Sequence, residues 1–206
     1  MIVQRSIVAP VALACSAAHG GILHTGFDAG LEGWVITNTI GAQWQGAGGN
    51  PGGYAHIDNT EQLIAYMFAP ILFLGDLSRF DGGVLSFDAI QLGSGGGPWD
   101  NFENFGRVII RSGATSASRD LVPGIVGPAT NWTTYSASLT ATEWGMNDAQ
   151  WLALLSDVTS ISLCVEGLFG PEINGVDNFT ILPAPGASAL MAAALALSAR
   201  RRRPAV

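Results

Sequence analysis

Residues 65–90 read AYMFAPILFLGDLSRFDGGVLSFDAI, and the second half of this run decides the fold class. After the turn Gly82-Gly83, the chain alternates: Leu85, Phe87 and Ala89 fall on one face and Ser86 and Asp88 on the other, the period of two expected of a half-buried strand. The same pattern recurs down the chain. GRVIIRSG at 106–113 puts Val108 and Ile110 together, and NWTTYSASLT at 131–140 has the threonine, serine and aromatic content that suits a pleated surface. In SISLCVEG, Ile161, Leu163 and Val165 oppose Ser162, Cys164 and Glu166, and GVDNFTIL at 175–182 closes the series. Glycine, proline, asparagine and aspartate cluster between these runs, as turns require. No period of 20–50 residues is visible, which excludes a solenoid or propeller.

One helix is predicted. In MNDAQWLALLSDV, at 146–158, Asn147 is placed to cap a first turn carrying Asp148, and Trp151, Leu154, Leu155 and Val158 form one apolar stripe for docking on a sheet. The loop GGNPGGYAHID, Gly48 to Asp58, is rich enough in glycine to suggest a phosphate cradle. A cradle would open a helix, whereas Tyr54, His56 and Asp58 alternate with Ala55 and Ile57, so a strand follows and Asn50–Gly53 reads as a β-turn. The whole predicts an all-β, antiparallel, jelly-roll-like sandwich with one short helix over residues 25–182.

The ends read differently. Residues 1–18 of MIVQRSIVAPVALACSAAHG combine one positive charge at Arg5, an apolar run from Ile7 to Ala14 and small residues before a cleavage point, the pattern of a signal peptide. Cys15 would leave with it, so Cys164 would have no disulfide partner and reads as an inert strand residue. At the other end, the apolar run Ala187–Ala199 spans roughly 20 Å as a helix, short for a permanent membrane anchor, and Arg200, Arg201, Arg202 and Arg203 follow it. Between the ends, four arginines stand against sixteen acids, a net charge of −12 with no lysine. Nothing there offers the basic stripe that nucleic-acid binding needs.

Residues 183–206 resemble the PEP-CTERM sorting tails of exported bacterial proteins: a proline motif, Pro183-Ala184-Pro185, then an apolar helix and an arginine cluster. The motif departs from the family at Ala184, where glutamate is usual. The resemblance implies recognition by an exosortase-type transpeptidase, transient membrane contact through the apolar segment, and delivery to the cell surface or extracellular matrix. Residues 65–90 in turn resemble the entry to a laminin IV type A domain, also called laminin B. Tyr66, Ala69-Pro70, Phe73-Leu74-Gly75-Asp76, Gly82-Gly83 and Leu85-Ser86-Phe87 carry the likeness, and the later segments occur in the expected order. That resemblance implies a secreted or surface β-sandwich without catalysis, related in architecture to carbohydrate-binding jelly rolls.

The common catalytic constellations are missing from the sequence. His56 is the one histidine inside the domain, LGSGGGP around Ser94 lacks nucleophile-elbow spacing, and there is no H-E-x-x-H, C-x-x-C, Walker or EF-hand loop. A glycosidase would need two carboxylates about 5–10 Å apart, which sixteen acids leave open as an alternative, beside a purely structural envelope protein. Two site expectations follow. Asp28 and Glu32 in GFDAGLEGW, with Asp177 in the last strand, supply oxygens suited to a structural calcium ion, against the plainer reading that Asp28 and Asp177 accept backbone hydrogen bonds at strand ends. Trp99 and Phe102, in the loop GGGPWDNFENFG, are the aromatics chosen to stack on a glycan; most other tryptophans, Trp34 and Trp151 among them, read as core. The functional expectation is a non-catalytic surface or matrix module that binds a glycan or a protein.

Overall fold

The computed structural model describes residues 21–39, 41–59, 64–94, 105–122, 124, 127–167, 171–184 and 186. Among these the strands follow in chain order as β1 (Leu23–Thr25), β2 (Val35–Thr37), β3 (Gly41–Gln45), β4 (Tyr54–Asn59), β5 (Tyr66–Phe68), β6 (Val84–Ser94), β7 (Arg107–Ser112), β8 (Thr115–Asp120) and β9 (Thr133–Ser138). The helix α1 (Asp148–Leu155) precedes β10 (Ser160–Cys164) and β11 (Glu172–Leu182). They form two antiparallel sheets packed as a sandwich. The first has the order β3-β4-β11-β6-β9, with β1 also paired to β11, and the second the order β2-β5-β10-β7-β8.

The alternations set which side chains enter the core. Leu85, Phe87 and Ala89 of β6, Val108 and Ile110 of β7, and Ile161 and Leu163 of β10 are all buried between the sheets. At the centre Trp34 meets Phe179 edge-on at 4.8 Å between centroids, and Phe73 meets Phe179 likewise at 5.2 Å. Such edge-to-face pairs add roughly 0.5–1.5 kcal/mol each beyond the area they bury. Phe73 comes from the Phe-Leu-Gly-Asp run, which explains that run's place in the fold. Its next residues tie the core to the helix: Gly75 exchanges two backbone hydrogen bonds of 2.8 Å with Val158, and the Leu77 N–H donates to the Leu155 carbonyl at 2.8 Å. The Ser78 N–H donates to Asp76 at 2.9 Å, which holds the Asp76 carboxyl below the usual carboxylate range.

Helix α1 forms where the capping signal places it. Asn147 Oδ1 accepts from the Gln150 N–H at 2.9 Å and the Gln150 side chain accepts from the Asn147 N–H, a reciprocal capping box. Trp151, Leu154 and Leu155 are buried, with Val158 just beyond. Trp151 stacks on Trp144 at 5.6 Å and donates its indole N–H to Asp81 at 2.9 Å, so the helix is fastened to the turn that launches β6.

That turn tolerates no side chain at Gly83. A Cβ there would lie 2.0 Å from the Leu182 carbonyl oxygen and 2.8 Å from that of Phe80. Both obstacles are backbone and cannot swing aside. Gly83→Ala is therefore expected to cost at least about 3 kcal/mol. At roughly 2–4 °C per kcal/mol for a domain of this size, a thermal melt should show Tm falling by roughly 6–12 °C.

Candidate ligand-binding face and acidic seam

Strand β11 is flanked on one side by β6 along its length, and on the other by two strands in succession. Its first half pairs with β4, up to Val176 opposite Ala55, and its second half pairs with β1, from Phe179 opposite Thr25. Asp177 and Asn178 sit at the seam between these partners, where the β6 register also shifts and Asn178 takes a left-handed backbone, φ 53°. Side chains replace the missing ladder there. Asp177 accepts from the Asn50 N–H at 2.6 Å and the Asn178 N–H at 2.7 Å. Asp88, its cross-strand neighbour, accepts from the side-chain amides of Asn50 at 3.0 Å and Asn178 at 2.8 Å, and from the Thr134 hydroxyl.

The glycine-rich loop is thus pinned onto the acids. Gly52, at φ 92°, and a Gly49 N–H to Gly52 carbonyl bond of 2.9 Å close the turn that delivers Asn50. Asp177 is 0% exposed and Asp88 5%. Burial chiefly, and then the neighbouring charges of Asp88 and Asp28, push Asp177 up to about 6 against the two N–H donors that pull it down.

Of the three acids singled out for calcium, the structure brings Asp28 and Asp177 into one cluster. Glu32 lies apart in the exposed turn after Asp28, with a left-handed backbone of φ 49°, and makes no hydrogen bond to the cluster among the described residues. A methyl group on Gly26 would meet His24 Nε2 at 3.1 Å, Asp28 Oδ2 at 3.6 Å and Asn178 Oδ1 at 3.7 Å, so an imidazole nitrogen and two oxygens frame one small space. The carboxylate and amide oxygens fit a hard cation, whereas the imidazole nitrogen beside them does not. Among the described residues no three His, Cys, Asp or Glu side chains converge at metal-ligand geometry. A cation here would therefore be held by Asp28 and Asp177, with the Asn178 amide and backbone carbonyls completing its shell.

The two outer faces of the sandwich differ. On the first sheet, Tyr54 and Trp132 meet edge-on at 5.5 Å and close over Gly175, where an added Cβ would lie within 3.1 Å of Ile90, Trp132 and Tyr54. Trp132 also donates to the Gly48 carbonyl at 2.9 Å, so these rings serve to hold the loop. On the outer face of the second sheet, Val35, Phe68 and Arg111 are exposed while Ser162 and Cys164 are buried. Cross-strand pairing sets Val35, Phe68, Ser162 and Ile109 in one row, with Thr37, Tyr66 and Cys164 in the next. Tyr66, Phe68, Ile109, Arg111 and Ser162 line a trough of about 270 Å³. Ser162, only 4% exposed, forms its floor, and Phe68 and Val35 stand 38% and 59% exposed at its side.

Trp99 and Phe102 lie outside the described residues, as do Pro185 and the arginines at 200–203. Pro183 and Ala184 follow β11 directly, with Ala184 against the Gly82 turn. Trp34, Trp144 and Trp151 are core, and Phe105, from the end of the Trp99 loop, is fully buried. The trough residues were not singled out from the sequence. Their signal is the phase of two short runs: Tyr66 and Phe68 flank the buried Met67, and Arg107, Ile109 and Arg111 alternate with the buried Val108 and Ile110.

The sequence matches no family model and no curated protein. Among solved structures, the fold is similar to part of an exo-β-agarase, with 15% identity over 74% of this chain and 24% of that one and a TM-score of 0.52. It is also similar to the tandem CBM22-1–CBM22-2 domain of Xyn10C from Paenibacillus barcinonensis, at 13% identity over 84% of this chain and 49% of that one, TM-score 0.50. The L4b domain of human laminin α-2 aligns at 14% identity over 63% of this chain and 80% of its own length, TM-score 0.48. At these identities the likeness is one of fold, the β-sandwich.

The seam makes stability depend on pH in an uncommon direction. Because the folded Asp177 holds its proton more tightly than the unfolded one, its contribution is greatest at low pH and is lost as pH rises from about 4 through about 6. Between pH 5 and pH 7 the loss is about 1 kcal/mol, so Tm is expected to be a few degrees higher at pH 5. Asp177→Asn, which removes the titrating group, should flatten this slope, whereas Asp28→Asn, which removes the smallest of the causes, should change it little. Millimolar calcium at pH 7 should raise Tm if the seam takes the ion; no shift would leave the acids as hydrogen-bond acceptors alone.

Proposed function

We propose that the chain is an exported, non-catalytic module that binds a glycan on the outer face of its second sheet, with a structural calcium ion at the acidic seam. The carrying observation is the open trough: two aromatic rings, Tyr66 and Phe68, 6.3 Å apart, stand beside a polar floor at Ser162 and a guanidinium at Arg111. Aromatic faces stack on the apolar faces of sugar rings, while hydroxyls and guanidinium groups meet sugar hydroxyls. Enclosed small-molecule sites run to roughly 300–1,000 Å³, so a smaller open trough suits a segment of a longer polymer.

The enzymatic alternative needs an accessible pair of acids. Asp88 and Asp177 are adjacent, but both are buried beneath the Asn50 loop and committed to its N–H and amide donors. A laminin-IV-type identity for the sandwich, a signal peptide at residues 1–18 and an exosortase-processed tail from Pro183 complete the reading. They rest on the residue patterns of the sequence, and they place the module at the cell surface or in the extracellular matrix.

Affinity electrophoresis of the purified chain through gels containing soluble polysaccharides tests the binding. At least one polysaccharide is expected to retard it, and Phe68→Ala to weaken that retardation roughly tenfold, the scale of losing one stacking contact. No retardation by any polysaccharide would remove the glycan reading. For the tail, mass spectrometry of the protein recovered from its own cell surface should show the arginine cluster gone.

A further inference from the structure

The domain carries four arginines among its excess of acids, and the structure accounts for three of them. Arg119 pairs with Glu143 at 2.8 Å. Arg79 lies over the Phe80 ring at 4.7 Å. Arg107 donates to the Tyr66 hydroxyl at 3.0 Å and faces Asp120 across the β7–β8 ladder. Arg111 differs from these. Its cross-strand neighbours are Ser160 on one side and Ser116 on the other, and among the described residues its guanidinium makes no ion pair. It is exposed and lines the trough that also holds Phe68, Tyr66, Ile109 and Ser162.

We infer that the trough selects an acidic sugar, whose carboxylate is met by the Arg111 guanidinium while its ring lies against Phe68 and Tyr66. This rests on the glycan reading of the same trough and specifies its substrate class as uronate-containing polysaccharide. Three observations carry it. The guanidinium fork matches a carboxylate in a two-bond geometry that a neutral hydroxyl cannot reproduce. Phe68 lies two strands from Arg111's strand, about 10 Å at the usual strand spacing, with the Ser162 and Ile109 positions as the floor between. The Ser162 hydroxyl makes no hydrogen bond among the described residues, so it is available to a ligand.

The charge of −12 carried between the two ends of the chain opposes the approach of a polyanion, but its reach is short. At physiological ionic strength the screening length is about 8 Å, so charges that line the trough outweigh distant ones, and among the described residues Arg111 is the charged group in its lining. Arg107 is balanced by Asp120 at the far end. The arrangement therefore gives a positive spot on a negative body, which a diffuse electrostatic attraction would not need.

Isothermal titration of the purified full-length chain with three oligosaccharides tests this: a neutral xylo-oligosaccharide, an oligogalacturonate and a sulfated galactan oligosaccharide that carries sulfate but no carboxylate. The oligogalacturonate is expected to bind at least tenfold more tightly than the neutral ligand. Arg111→Gln should reduce that preference to below threefold, Phe68→Ala should weaken whatever binds, and Arg119→Gln, which removes an equal charge from the adjoining strand outside the trough lining, should leave the preference intact. Equal binding of neutral and uronate ligands, unchanged by Arg111→Gln, would overturn the acidic-sugar assignment and leave the glycan reading standing. Binding confined to the sulfated ligand would overturn the carboxylate assignment. Binding of none of the three, with no polysaccharide retarding the chain in gels, would remove both readings.

Discussion

The change of partner along β11 constrains the rest of the molecule. An eleven-residue strand is paired with β6 on one side, but β4 and β1 share the other side and neither covers Asp177 and Asn178. Buried backbone and side-chain polar groups need partners in such a gap. The solution is polar: the loop at 46–53 folds over the seam and spends its turn residue, Asn50, on both acids. The cost is a buried carboxylate held against its preference for water, shown by the raised pKa of Asp177. A loop that reads as a simple turn is thus the closure of the sheet.

That closure also explains why the two outer faces have different chemistry. Once the loop lies over the first sheet, Tyr54 and Trp132 pack against each other and against Gly175, and the indole N–H is committed to Gly48. Among the described residues, no loop lies over Phe68, Ile109 and Arg111 of the second sheet in this way. Its aromatic residues stay partly exposed, with a guanidinium one row away that makes no ion pair among the described residues. A sandwich with two similar sheets therefore presents one face partly covered by the loop and one that carries the trough.

Much of the fold was legible because its signals are local. The phases of β6, β7 and β10 and the cap of α1 each depend on residues within one short segment, and the structure places them as read. Strands β1, β2 and β5 have three residues each, too few to show a period, and β8 buries only Ala117 along its length. The acidic cluster was half legible. Asp28 and Asp177 could be paired by their positions near the two ends of the domain, whereas Asp88 read as a solvent-facing strand residue until the loop covered it. The trough was not legible, since it exists only because β5, β10 and β7 lie side by side, and that order joins segments nearly a hundred residues apart.

The openness of the trough also limits what it can do. A charge pair at a wet rim contributes about 0–1 kcal/mol, and a ring stacked on one sugar adds a comparable amount. Neither approaches what a catalytic site must supply to a transition state, which requires charges fixed in a place that water cannot enter. Such a face suits a ligand that repeats. On a polymer, the same modest contact is offered again at each unit, and copies of the module held on one surface would engage several units together, so that the effective affinity grows with the number engaged and not with the depth of any one site. On the glycan reading proposed above, a shallow, singly charged aromatic face would in this respect match a polysaccharide better than a small free sugar.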